Sequence, residues 1–216
     1  MWIFRLSPLL ALLTQSACAE PASAPPAVAT EEASGTSEVD PTTTVSAAKP
    51  GSGKDDGVVS GQLAPGMDLP VFGSEKRWNL ADYVNGNGTG RADGVVVSFM
   101  ASWCGVCKNS LPTLVELEAE HRARIQFVVV NTDTTSDAQQ KEADILKKAG
   151  LNVPMAVVDA PTQTAWLGSS KSIPRFVFID KRGKVMVQDR GFGAKVKPLM
   201  PKQIKSLLAR ADRDAG

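Results

Sequence analysis

The feature that most constrains the fold of this chain is an apolar segment that leads directly into a pair of cysteines. Residues 95–99 form the kind of apolar run found in a strand that is covered on both faces. Cys104 and Cys107 follow closely, and the apolar residues of segment 109–121 fall at helical spacing. The sequence therefore predicts a central strand, a short connection and a helix at whose start both sulfurs lie.

The position of the two cysteines at a helix start predicts a redox-active pair. Backbone N–H groups in the first helical turn lack intrahelical partners and carry a partial positive charge, so they favour a thiolate over a thiol. Because the thiolate is the attacking species, we expect Cys104 to be the nucleophile and Cys107 the resolving thiol. The neighbouring residues Gly105, Val106 and Lys108 are expected to tune the pair.

A purely structural disulfide is the simplest alternative for these cysteines. A bridge between Cys104 and Cys107 closes too small a loop to restrict the unfolded chain much, because the entropic effect grows with loop length. The third cysteine, Cys18, lies near the N-terminus, so the folded part retains one closely spaced pair. We therefore favour a redox role, and we assign neither a cofactor nor a metal to the site.

The N-terminal residues 1–19 have the pattern of an export signal. Arg5 precedes an apolar core at 6–13, which small and polar residues follow. The segment is too short for a normal membrane span. Its end has two interpretations that stay open: a small-x-small cleavage site at 17–19, or a bacterial lipoprotein signal in which Cys18 is lipidated. Both predict export to the bacterial periplasm or cell envelope, the second with a membrane anchor.

The rest of the chain divides into a tether and one domain. Residues 20–62 are rich in Ala, Pro, Ser and Thr and contain no aromatic residue, so they are predicted to be disordered. Such a tether would reach about 35 Å. Residues 63–216 are predicted to form the domain. Lys and Arg number 24 against 23 Asp and Glu, so no nucleic-acid partner is indicated.

Within the domain, apolar strands alternate with helical segments. The predicted order is a β-hairpin, then βαβαβ, then a short helix and a second β-hairpin, then a final helix. This order predicts an α/β fold with a central sheet covered by helices on both sides. The helix that follows residue 135 is expected to be capped by Ser136 or Asp137 and to end at Gly150.

With these elements placed, residues 63–211 resemble the thioredoxin superfamily, most of all its exported TlpA/ResA-type branch. The resemblance rests on Trp103-Cys104-x-x-Cys107-Lys108 after a buried strand, Pro112 in the following helix, Ile173-Pro174 before a later strand, Leu69-Pro70 in the leading hairpin, and segment 133–159. It implies a thioredoxin-like fold with an N-terminal β-hairpin extension, an inserted helix and strand, and a central mixed sheet.

The resemblance also assigns roles around the cysteine pair. It implies that the peptide bond before Pro174 is cis and that it faces the two sulfurs. Ile173 would present its backbone groups to an extended substrate segment, which would dock partly by strand addition. Trp103 would shield the sulfurs, although a partly buried aromatic of the core is the simpler interpretation of that residue.

The sequence departs from the family at two positions that bear on proton transfer. Thioredoxins carry an acidic residue six positions before the first cysteine, and this chain has Ser98 there. ResA-type proteins carry a glutamate three positions after the second cysteine, and this chain has Ser110 there. The proton acceptor for Cys107 is therefore unassigned by the sequence.

The function that we predict is dithiol–disulfide exchange with protein substrates. No histidine stands between the sulfurs, so we expect a reducing poise closer to that of thioredoxin than to that of DsbA. A reductase in an oxidising compartment needs a membrane or periplasmic electron donor. Family analogy suggests apocytochrome thiols during c-type haem attachment as one class of substrate.

Two alternatives belong to different functional classes. A peroxiredoxin-type thiol peroxidase would need a P-x-x-x-T-x-x-C pattern, and segment 97–103 lacks both the Pro and the Thr. A Sco-type copper chaperone would hold Cu(I) with two thiolates and a distant histidine. Here two residues separate the cysteines instead of three, and His121 lies on the predicted helix that follows the motif.

Overall fold

The computed structural model describes residues 57–85 and 92–214. The predicted export signal, Cys18 and the predicted tether as far as residue 56 lie outside the described residues. Within the described part, each helix is too short or too polar to cross a bilayer.

The described residues form seven strands, four α-helices and one 3₁₀ turn at Leu80–Asp82. The strands are β1 (Asp68–Pro70), β2 (Arg77–Asn79), β3 (Gly94–Met100), β4 (Ile125–Asn131), β5 (Met155–Val157), β6 (Arg175–Asp180) and β7 (Val185–Arg190). The helices are α1 (Gly105–His121), α2 (Ser136–Ala149), α3 (Ala160–Leu167) and α4 (Met200–Arg213). The element order predicted from the sequence is confirmed.

The strands form a mixed five-stranded sheet and a separate hairpin. The order in the sheet is β5-β4-β3-β6-β7, with β3 at its centre. β3 pairs in parallel with β4 and antiparallel with β6, and β7 closes the other edge against β6. The hairpin of β1 and β2 places Leu69 opposite Trp78. These features confirm the predicted α/β fold with a central mixed sheet and an N-terminal hairpin.

Both faces of the sheet are covered, which explains why the central strand is apolar throughout. Successive residues of a strand point to opposite faces. One face packs against α1, α2 and α4 and includes Val96, Met100, Phe127, Phe176 and Phe178. The other packs against α3 and the hairpin and includes Val95, Val97, Phe99, Val128 and Val177. The active-site loop leaves the C-terminal end of this buried central strand.

The start of α1 agrees with the prediction that both sulfurs lie at a helix start, whereas the start of α2 differs from the prediction. α1 begins at Gly105, inside the cysteine motif, so that Cys104 is its N-cap residue. α2 is capped by Thr135, whose Oγ1 accepts a hydrogen bond of 3.3 Å from the Ala138 N–H. The predicted caps, Ser136 and Asp137, are already helical, so that part of the prediction is wrong. The predicted stop is confirmed, because Gly150 adopts a left-handed conformation.

Residues 57–62, which the sequence assigns to the tether, pack on the domain. Val58 is buried, and its N–H donates to the Trp166 carbonyl at 3.2 Å. The Gly61 N–H donates to the Val185 carbonyl at 2.7 Å. The ordered domain therefore starts by residue 57, because long-range partners stabilise a segment whose own composition is that of a loop.

Candidate active site

Cys104 and Cys107 are joined by a disulfide at the N-terminus of α1. The Cys104 Sγ also accepts a hydrogen bond of 3.2 Å from the Cys107 backbone N–H, which is one of the unpaired donors of the first helical turn. The same N–H would stabilise a thiolate on Cys104 once the disulfide is reduced. The geometry thus places the first sulfur where negative charge is favoured.

Both cysteines are as buried as residues of the core, but residues next to them in the sequence are exposed. Cys104 is 6% exposed and Cys107 is 1% exposed. Trp103 is 70% exposed and Val106 is 44% exposed, and these two residues, which adjoin Cys104 and Cys107 in sequence, form the apolar rim of the site. The simpler interpretation of Trp103 as a core aromatic is wrong, because its ring projects from the surface.

The register of the sheet brings Ile173-Pro174 to the end of the sheet that carries the cysteine loop. Arg175, the first residue of β6, pairs with Phe99 near the end of β3. The Ile173–Pro174 peptide bond is cis. The Gly191 N–H donates to the Pro174 carbonyl at 2.8 Å, which ties this turn to the segment after β7.

Arg175, which directly follows the Ile173-Pro174 turn, is fully buried. Sequence reasoning did not identify its role. Its guanidinium lies 3.4 Å from the Trp166 carbonyl and from Gln188 Oε1, and 3.3 Å from Ser170 Oγ. Gly57 packs closely on the same groups: a Cβ at this position would lie 2.7 Å from the Trp166 carbonyl oxygen and 2.9 Å from the Arg175 Nη1. These partners are far apart in sequence, which is why no local pattern indicated them.

The serines at the two positions where the family carries acids are both buried. Ser98 is 3% exposed, on β3. Ser110 is fully buried, and its hydroxyl donates to the Cys107 carbonyl at 2.6 Å, within α1. The Ser110 hydroxyl is therefore engaged in a helical hydrogen bond, and neither position supplies a carboxylate to the pair.

A buried aspartate anchors the loop that precedes the cysteines. Asp133 Oδ2 accepts hydrogen bonds from the Ser102 backbone N–H at 2.8 Å and from Asn131 Nδ2 at 2.9 Å. The Asp133 carbonyl accepts a third bond, 3.0 Å long, from Gln139 Nε2 on α2. An aspartate two residues after the end of a buried strand was a signal that could have indicated this anchor.

A second buried acid, Glu142, lies on α2 beside this network. The residue is 2% exposed, and its Oε2 has no hydrogen-bond partner among the described residues. Burial is the main cause that raises the pKa of Glu142 to about 7, and the Asp133 charge raises it further while the Lys108 charge opposes the shift. Lys108 directly follows Cys107, so this acid senses charge next to the redox pair.

The single histidine of the sequence, His121, lies far from the sulfurs. His121 is the last residue of α1, which places it roughly 20 Å along the helix from Cys107. Within the described part of the chain, no group of three or more His, Cys, Asp or Glu residues is arranged to hold a metal ion. The arrangement required of a copper site is thus not assembled by the described residues.

A thioredoxin-like sheet with a disulfide-linked cysteine pair at the start of α1 defines the class of thiol–disulfide oxidoreductases. The Redoxin family model matches residues 75–199, more than half of the sequence. The chain belongs to the Redoxin family, and within the thioredoxin superfamily it is of the TlpA/ResA-like type.

Individual relatives are distant. "Probable nucleoredoxin 1" of Arabidopsis thaliana is 28% identical over 120 residues, which are 53% of this chain and 21% of the relative. Thiol-disulfide oxidoreductase ResA of Bacillus cereus is 27% identical over 97 residues, 44% of this chain and 54% of ResA. The chain thus spans about a fifth to about half of the length of these curated relatives.

A solved structure matches over nearly its whole length. The crystal structure of a Chlorobium tepidum protein proposed to be a thiol:disulfide interchange protein, DsbE, is 27% identical with a TM-score of 0.58. The match covers 70% of this chain and 99% of that chain. The similarity is therefore not confined to a short motif.

Proposed function

We propose that this protein is an exported dithiol–disulfide oxidoreductase that reduces selected protein disulfides. The observation that carries the proposal is the Cys104–Cys107 disulfide at the start of α1, with Cys104 Sγ accepting the Cys107 N–H. In an exchange enzyme this disulfide is the oxidised product of one turnover. The helix N-terminus then favours the thiolate that begins the next turnover.

The proposed reaction has two exchange steps. The Cys104 thiolate attacks one sulfur of a substrate disulfide, forms a mixed disulfide and releases the other substrate sulfur as a thiolate. Cys107 then loses its proton and attacks the Cys104 sulfur, which releases the second substrate thiolate and restores the Cys104–Cys107 disulfide. Two electrons pass from the protein to the substrate, and a dithiol donor must return them.

The assignment of roles rests on position and access. Cys104 is the helix N-cap and is the more exposed sulfur, whereas Cys107 is one turn inside α1 and is 1% exposed. An incoming sulfur can therefore approach Cys104 with less rearrangement. Gly105 and Val106 place no charged group between the sulfurs, and this absence of a cationic residue between them favours a reducing poise.

A protein substrate would dock on the apolar rim of the site. Trp103 and Val106 present exposed apolar surface beside the disulfide, and such patches commonly mark interaction sites. Ile173 and Pro174 lie at the same end of the sheet, where an extended segment could add its backbone hydrogen bonds. The rim selects a peptide, since a small thiol would need little of this surface.

The cellular setting follows from the sequence. Residues 1–19 read as an export signal, and Cys18 is the residue that a lipoprotein pathway would modify. We therefore propose action in the bacterial periplasm or cell envelope, with electrons supplied by a membrane or periplasmic dithiol protein. The ResA-like resemblance makes apocytochromes, whose haem-binding thiols must be kept reduced, one class of substrate to test.

The redox potential tests the proposed direction. The described domain is equilibrated with mixtures of reduced and oxidised glutathione, and the fraction of free Cys104 and Cys107 thiols is measured by alkylation and mass. We expect a potential near thioredoxin's, about −270 mV. A potential near DsbA's, about −120 mV, would identify an oxidant instead. A variant with both cysteines replaced by Ser gives the alkylation background.

A further inference from the structure

We propose that Glu142 exchanges a proton in step with the redox reaction. It takes up a proton when the Cys104–Cys107 disulfide is reduced and releases that proton when the disulfide re-forms. The inference rests on the proposed exchange activity and adds a proton-holding group to it. Glu142 is 2% exposed and lies in the face of α2 that packs against the domain.

The placement of Glu142 is set by its helix. Gln139, one turn earlier, donates to the Asp133 carbonyl, and Leu146, one turn later, is buried in the core. Glu142 lies between them on the same face, at a position where helical spacing calls for an apolar residue. A buried carboxylate without a hydrogen-bond partner is unfavourable unless it can be neutralised, so this position suits a group that binds and releases a proton.

Two charged neighbours link Glu142 to the redox pair. Asp133 accepts the Ser102 N–H and so holds the loop that leads into Cys104. Lys108 directly follows Cys107 on α1. The charges of both residues act on Glu142, the first disfavouring its ionised form and the second favouring it. A charge that appears on the sulfurs, next to Lys108, is thus added to the charges that already act on Glu142.

The proton balance of reduction then includes Glu142. A dithiol reductant gives two electrons to the disulfide and becomes a disulfide itself, releasing two protons. Cys107 takes one of these protons as a thiol, while Cys104 remains a thiolate. The new negative charge disfavours ionised Glu142, which takes the second proton. On oxidation Cys107 loses its proton, the thiolate charge disappears and Glu142 releases its own proton.

The direct test is the pH dependence of the redox equilibrium. The equilibrium constant with dithiothreitol is measured between pH 6 and 8.5 for the wild type, for Glu142→Gln and for Glu118→Gln. Glu118 is a matched control, because it is a largely buried glutamate three turns beyond Cys107 on α1. A merely structural role of Glu142 would not change the slope with pH.

As the pH rises over this range, we expect the equilibrium constant for reduction of the wild type to fall, relative to that of Glu142→Gln, by a factor of about 3 to 10. That factor corresponds to a Glu142 pKa about half to one pH unit higher in the reduced protein. Glu118→Gln should follow the wild type. Parallel profiles for the wild type and Glu142→Gln would overturn the inference.

A second measurement uses the wild-type chain alone. The side-chain carboxyl carbon of Glu142 is titrated by ¹³C NMR in the oxidised and the reduced protein. A higher midpoint in the reduced protein supports the inference, and equal midpoints overturn it. Failure of the exchange activity is distinguishable, because a pair that dithiothreitol does not reduce would contradict the proposed function itself.

Discussion

Asp133 Oδ2 accepts a hydrogen bond of 2.8 Å from the Ser102 backbone N–H, so the end of β4 holds the loop that carries the redox pair. The same oxygen accepts the Asn131 side-chain amide, and the residue is 6% exposed. Cys104 is two residues beyond Ser102, and its position therefore depends on a carboxylate that is distant in sequence. This dependence predicts a measurable loss of stability when the carboxylate is removed.

Asp133→Ala should destabilise the oxidised domain by about 2–4 kcal/mol, because it leaves two buried donors unpaired. Asp133→Asn should be much milder, since an amide oxygen can still accept both bonds. Urea unfolding measures both changes. The exposed Asp137, in the first turn of α2, is the matched control, and its change to Ala should cost less than about 1 kcal/mol. Equal losses at positions 133 and 137 would refute the anchoring role.

Glu142 should make the domain less stable as the pH rises. Its pKa is raised from 4.5 to about 7 in the folded protein, so between these values the folded state binds more protons than the unfolded state. Stability should therefore fall by about 1–3 kcal/mol from pH 4.5 to pH 7.5, relative to Glu142→Gln. Denaturant unfolding across this range measures the difference, with Glu118→Gln as control. A wild type and a Glu142→Gln variant with the same pH dependence would contradict the burial of this charge.

Trp103→Ala should impair protein substrates while leaving the fold intact. The ring is 70% exposed, so its removal should change the free energy of unfolding by less than about 1 kcal/mol. We expect kcat/KM for a protein disulfide to fall roughly tenfold, about 1.4 kcal/mol of binding, with little change for a small disulfide. By contrast, Trp78→Ala, at a site that is 2% exposed, should destabilise the domain by about 3–5 kcal/mol. Equal losses on both kinds of substrate would remove the docking role of Trp103.

Gly57→Ala should destabilise the domain, although the sequence assigns residue 57 to the tether. A Cβ there would lie 2.7 Å from the Trp166 carbonyl oxygen and 2.9 Å from the Arg175 Nη1, so the segment must shift. A loss of about 1–3 kcal/mol is expected by denaturant unfolding. Gly66→Ala is the control, because its Cβ would meet no atom within 4 Å. An unchanged Gly57→Ala domain would contradict the close packing of residue 57 against Trp166 and Arg175.

The elements that the sequence predicted well are those that local patterns determine. The apolar run of β3, the cysteine spacing and the stop at Gly150 depend on neighbouring residues, and all three are present in the structure. Glu142 and Arg175 escaped prediction because charged residues are normally exposed. Arg175 contacts Gln188 and residue 57, and Glu142 lies within the influence of the Asp133 and Lys108 charges. The fold brings these groups together from distant parts of the chain.

The most direct test of the proposed function is the capture of substrates on Cys104. The full chain with Cys107→Ser is expressed in its own host, and proteins linked to it by disulfides are identified by mass spectrometry before and after treatment with dithiothreitol. We expect a defined set of exported proteins bound through Cys104, and far fewer on the matched Cys104→Ser variant. Recovery of small thiols alone, or equal capture by both variants, would contradict a selective reductase with Cys104 as its nucleophile.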